Sequence, residues 1–141
     1  MRLIGFIFLL LILSSSTAQK KVGVLDGKWI LVCYSDLTTQ SNDCRPINAG
    51  LTARLQFEDD GESGKIIGSD GINSVYGSYT LLNNHVLKID EFGGTKIGSG
   101  DPWVSNFWKT MHTASSYSIK LDSLIISYDN DSKAVKFLKS E

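Results

Sequence analysis

The feature that most constrains this chain is its punctuation: short alternating runs, each closed by Gly, Asn or Asp. Leu51 to Glu58, LTARLQFE, shows the period most clearly. Leu51, Ala53, Leu55 and Phe57 fall on one face of a strand, with Thr52, Arg54, Gln56 and Glu58 on the other, so the first set is expected to face a core. Asp59 to Gly64, DDGESG, reads as a turn and Lys65 to Ser69 as the returning strand. Val75–Leu82 and His85–Asp90 flank Asn83-Asn84. Because Asn tolerates left-handed backbone, that pair signals a two-residue hairpin turn. Phe92–Ile97 reads as one more short strand, bracketed by glycines. Tyr117–Lys120, Ser123–Tyr128 and Ala134–Leu138 then form a closing meander, turning at Leu121-Asp122 and Asp129-Asn130-Asp131. Upstream, Trp29 to Ser35 is apolar on both faces and predicts a buried strand. Leu37 to Asn48 is polar, carries Pro46 and predicts a long loop.

One segment breaks the β rhythm. Asp101 can cap a helix and Pro102 suits its first position, where a missing N–H costs nothing. Trp103, Val104, Phe107, Trp108 and Met111 then fall on one stripe of a helix running to about Ala114. The expected fold is therefore α+β and mostly β. An antiparallel meander of about eight strands bends into a strongly curved sheet or incomplete barrel, and one amphipathic helix, about 101–114, packs on it. The stripe suits core packing. Trp103, Phe107, Trp108 and Met111 are also the candidate surface for an apolar ligand or partner.

Composition and motifs exclude several chemistries. Gly68, Gly71 and Gly77 lack the spacing of a dinucleotide loop and are followed by strand, not helix. Gly-Lys-Ser/Thr is absent, so there is no P-loop, and the glycines read as turns of a meander. Asp59, Asp60 and Glu62 fail the calcium-loop spacing. His85 and His112 have no second ligand placed for a metal, and no nucleophile elbow occurs. The reading is of a protein without enzymatic activity, cofactor or metal. A hydrolase would need a pocket joining His85 or His112 to a serine and a carboxylate. Asn130-Asp131-Ser132 is a glycosylation sequon, relevant only in a eukaryotic secretory pathway.

The first residues set the compartment. Arg2, the apolar run Leu3–Leu13 and the small residues Ser16-Thr17-Ala18 read as a signal peptide over 1–18, with residues 19–141 as one domain. No Cys follows the run, so lipid anchoring is not expected, and the destination is periplasmic or extracellular. Losing Arg2 from the 14 basic side chains leaves 13 against 15 acidic ones, a formal charge of −2. Without a Lys/Arg stripe, nucleic acid is not an expected partner. A monomer that binds an apolar small molecule or a protein is. The two cysteines, Cys33 and Cys44, read as a disulfide in an exported chain, worth about 2.5–3 kcal/mol in the chain-entropy picture.

The order of these pieces resembles a known family. Leu25–Val32 (LDGKWILV), the strand LTARLQFEDDGESGKIIG, then GSDGINSVYGSY, GGTKIG, the DPWVSNFWKTM helix and YSIKLDSLIISYDNDSKAVKFL are together similar to the META domain of the HslJ-like heat-inducible proteins. The likeness runs from Leu25 to Leu138. The family's Gly-Cys-Asn, Gly-x-Tyr and Thr-x-Met-Ala-Cys segments fall on Gly71-Ile72-Asn73, Gly77-Ser78-Tyr79 and Thr95–Ser99. Ile72 and Ser99 stand where many relatives carry Cys, so thiol chemistry at those two positions is absent here. The resemblance implies a compact antiparallel β fold with one helix and no enzyme activity. It also implies a link to the envelope and to heat or drug stress, and in trypanosomatid relatives to virulence and secretion. Gly27, Trp29, Gly71, Asn73, Gly77, Tyr79 and Thr95 are motif residues whose expected role is structural. A lipocalin-like carrier is the alternative, because Gly27-Lys28-Trp29 is also how lipocalins begin. The helix ahead of the last hairpins and the short mature chain favour the META reading.

Overall fold

A computed structural model describes residues 18–141. The proposed signal peptide therefore lies, but for Ala18, outside the described residues. Among the described residues, nine antiparallel strands and one helix follow in the order β1 (Gly27–Asp36), β2 (Ser41–Cys44), β3 (Arg54–Asp59), β4 (Ser63–Ser69), β5 (Ser74–Leu82), β6 (Val86–Gly94), α1 (Pro102–Thr113), β7 (Ser116–Lys120), β8 (Ser123–Tyr128) and β9 (Lys133–Ser140). β1 pairs with β3, each of β3 to β8 pairs with the next along the chain, and β9 pairs back onto β1, so the hydrogen bonding runs in a ring. The ring is weakest between β6 and β7, which share the single register pair Val86↔Ser116. The helix is inserted at that point of the chain. This is the mostly β, curved meander with one packed helix that the alternating runs predicted.

Burial follows the alternation. Trp29, Leu31, Leu55, Phe57, Ile66, Tyr79, Leu87, Leu124, Ile126 and Phe137 are each at most 2% exposed and fill the space inside the ring together with the helix. Leu31 and Cys33 flank a bulge against β9, which shifts the face that β1 turns inward, so Tyr34 follows Leu31 into the core.

Four local expectations are corrected. The polar stretch after Leu37 is not one long loop, because Ser41–Cys44 forms β2 and pairs with the far half of β1. All four residues of β2 are exposed, so no alternation announced it. Second, Thr52 lies 1% exposed and Leu51 41% exposed, the reverse of the simple period. The Thr52 hydroxyl donates to the Leu31 carbonyl at 2.6 Å, and that bond makes its burial tolerable. Third, His85–Asp90 and Phe92–Ile97 are not two strands. Val86–Gly94 is one strand, bulged where Ser78 and Tyr79 pair with Glu91 and Ile89. Fourth, the turn before it is a three-residue loop, Asn83 to His85, with left-handed backbone at Asn84 and His85.

Candidate functional site

The helix is set by its first residue. Asp101 accepts from the Trp103 N–H at 3.0 Å, closing one of the donors that a helix start leaves free. Arg45 grips the same carboxylate with both terminal nitrogens, each at 3.1 Å, and lies 4.5 Å over the Trp103 ring. Arg45 first and then the Trp103 N–H hold the Asp101 carboxyl below the usual range. The Tyr34 hydroxyl donates to the Trp103 carbonyl at 2.9 Å, and the two rings meet edge to face at 4.7 Å. Burial pushes the Tyr34 phenol far up, so it stays a donor at all ordinary pH. Nothing local in the sequence marked Arg45, because its partners Asp101 and Trp103 are distant in the chain.

Of the four stripe residues singled out, three lie in the core: Trp103 (2% exposed), Phe107 (0%) and Met111 (0%). Trp108 is different. It sits at the edge of the stripe, partly exposed, with Phe92 edge-on at 5.2 Å and His112 stacked at 6.1 Å. Its indole N–H donates to Asp70 at 2.7 Å.

Asp70 belongs to the β4–β5 turn, Asp70-Gly71-Ile72-Asn73, and is fully buried. Its carboxylate accepts from the Ile72 N–H at 2.8 Å, the Asn73 N–H at 2.6 Å and the Asn73 side-chain amide at 3.0 Å, besides Trp108. Burial works to raise its pKa, but these donors together outweigh it and hold the carboxyl below the usual range. Gly71 takes φ +105, and an added Cβ would lie 3.0 Å from the Thr52 N–H nitrogen. Only glycine suits both demands.

Asn73 spends its amide on the chain between β6 and the helix. It donates to the Ile97 carbonyl at 3.1 Å and accepts from the Ile97 N–H at 2.6 Å, as a neighbouring strand would. The Thr95 hydroxyl donates to the same amide oxygen at 3.1 Å, and the Ser74 N–H donates to Thr95 at 3.1 Å. With Asp70 included, all four hydrogen-bonding positions of the Asn73 amide are filled. Motif residues from two separate segments thus form one polar knot beneath Trp108. Asp70 is the member sequence reading missed; the available signal was an Asp-Gly turn with Asn three places on.

The remaining motif residues lie elsewhere. Gly77, in β5, faces β6 so closely that a Cβ would sit 2.5 Å from the Glu91 carbonyl oxygen. Tyr79 is buried with its ring edge-on to Phe57 at 5.5 Å, and its hydroxyl has no hydrogen-bond partner among the described residues. Gly27 opens β1, and Trp29, beside it, donates its indole N–H to the Leu25 carbonyl at 2.8 Å. Cys33 and Cys44 are joined in a disulfide.

Asn73, Thr95, Lys96, Ile97, Gly98 and Trp108 line a largely apolar, open depression of about 270 Å³. Ile97 is 62% exposed on its rim. This surface can hold a small apolar group against the indole, with the polar knot fixing the indole from behind. Among the described residues no group of three or more His, Cys, Asp or Glu could hold a metal. His85 stacks on Tyr117 and His112 on Trp108. No helix among the described residues is long and apolar enough to cross a membrane.

A ring-bonded antiparallel meander with one inserted helix, knotted where a Gly-x-Asn turn meets a Thr-containing return, defines a small β-rich domain class. The chain belongs to the META domain family, whose model matches residues 27–141. Two solved structures share the fold. One is the NMR structure of a protein from Burkholderia xenovorans, with a TM-score of 0.63 and 18% identity over 90% of this chain and 94% of that one. The other is the crystal structure of a DUF4847 family protein from Bacteroides vulgatus, with a TM-score of 0.58 and 15% identity over 83% of this chain and 96% of that one. No curated protein matches the chain by sequence.

Proposed function

We propose that this META domain protein is exported to the periplasm or extracellular space and acts there as a monomeric, non-enzymatic binding module. It takes a small apolar ligand, or an apolar group offered by a protein partner, on the Trp108 face, in support of envelope stress tolerance. The apolar N-terminal run and the disulfide support export. The observation that carries the binding reading is Trp108 itself. A large apolar ring is left partly exposed over an open depression while a buried carboxylate fixes its edge. The depression, about 270 Å³, accommodates one ring-sized group. A calyx ligand of the lipocalin kind would instead have to displace Trp29, Phe57, Tyr79 and Phe137 from inside the ring.

Native mass spectrometry of the protein exported by its own host tests this. The expected spectrum is a monomer beginning at Gln19 and carrying an apolar adduct that Trp108→Ala loses. A chain that keeps residues 1–18 would overturn cleavage of residues 1–18 as a signal peptide. A bare wild-type monomer whose tryptophan emission does not respond to the host's lipid extract would overturn the small-ligand reading and turn the search to protein partners.

A further inference from the structure

The outer face of β1 and β2 carries a second feature. Cys33 and Cys44 face each other directly across the β1–β2 ladder. Leu31 and Tyr34 on the same strand point into the core, whereas the cystine points outward: Cys33 is partly exposed and Cys44 exposed. On the other flank of Cys33, β9 places Lys136 directly opposite. Opposed side chains on one face of an antiparallel pair have Cβ atoms about 5 Å apart. The nearest acids on these two strands, Asp36 and Asp43, alternate to the other face. Cys33, Cys44 and Lys136 line one open groove of about 380 Å³, together with Leu37, Ile125 and Ala134.

We infer that Cys33–Cys44 is a thiol–disulfide exchange site for a protein dithiol that docks in this groove. The partner's thiolate attacks the Sγ of Cys44, the more exposed of the two residues, forming a mixed disulfide. The Cys33–Cys44 bond breaks, and Cys33 leaves as a thiolate beside the Lys136 ammonium, which stabilises it. The partner's second thiol, once deprotonated, then attacks its own sulfur in the mixed disulfide and releases Cys44. The partner is oxidised to a disulfide by two electrons, and this chain ends as two thiols with the two protons. Loss of the bond leaves β2 in place. Four register pairs still hold it to β1, and Arg45, next in the chain, keeps its N–H on the Val32 carbonyl at 2.8 Å and its side chain on Asp101.

The test uses the purified, oxidised protein in native buffer with dithiothreitol, then with a reduced thioredoxin-type protein. The reaction is quenched by alkylation and read by intact mass. Both cysteines are expected to alkylate without denaturant while the near-ultraviolet circular dichroism stays unchanged. Lys136→Gln is expected to slow reduction several-fold and Lys136→Arg to restore it. Resistance to reduction until denaturant is added, or unfolding that accompanies reduction, would make the bond a structural staple and overturn the inference. Equal rates for Lys136→Gln and wild type would overturn the role given to the lysine.

Discussion

Trp103 and Trp108 stand five residues apart on one helix and belong to one apolar stripe, yet they do different work. Trp103 is buried, with Tyr34, Arg45 and Thr52 against it. Trp108 has the turn Asp70–Asn73 behind it and an open depression in front. Residue type and helical spacing are the same for both. The difference lies in what the sheet presents. At the helix start it offers the interior of β1, and five residues on it offers a turn between β4 and β5.

That contrast can be broken from either side, and the largest effect is expected at the closed end. Trp103→Ala or Phe107→Ala should lower unfolding free energy by about 3–5 kcal/mol, read by denaturant titration, because either leaves a cavity in packed core. If Trp103→Ala costs no more than Trp108→Ala, the two ends are not distinct in kind. Asp70→Ala should cost about 2–3 kcal/mol, because it strands the Trp108 indole N–H and the Asn73 amide without their charged acceptor. Trp108→Phe keeps a ring but loses one charge-assisted bond, so about 1.5 kcal/mol is expected, with the indole's ligand response gone. Ile97→Ser, on the exposed rim, should change stability by less than about 0.5 kcal/mol and still weaken ligand binding.

The pH dependence sharpens the same contrast. Asp70 is held below its unfolded pKa, so the folded state binds its proton less readily than the unfolded chain. Its contribution is present in full above the ordinary Asp value, about 4, and is lost as pH falls through the depressed folded value. Acid titration of stability should therefore steepen below about pH 4, and Asp70→Asn should flatten part of that slope. An unchanged slope in Asp70→Asn would mean that other carboxylates, Asp101 first among them, carry the acid response.

Much of the fold was legible because its signals are local. Alternation marked β3, β4, β5, β8 and β9, and Asp101-Pro102 marked the helix start to within a residue. β2 was not legible, because all its residues are exposed and only pairing to β1 makes it a strand. The bulge that joins 86–94 into one strand was hidden as well, because a bulge interrupts the very period used to find strands. The site was legible only in pieces. Asn73, Thr95 and Trp108 were each visible, and Asp70 passed as a turn residue.

The sequence by itself determined the family, the β-rich class, the helix and its apolar stripe, because periodicity and turn chemistry act over a few residues. Tertiary structure alone decided which tryptophan closes the core and which is left facing solvent. It also decided that Arg45 clamps the helix start and that the cystine points outward beside Lys136. Those outcomes depend on register between strands far apart in the chain. A one-residue shift in register exchanges the two faces of a strand, and no local pattern carries that information.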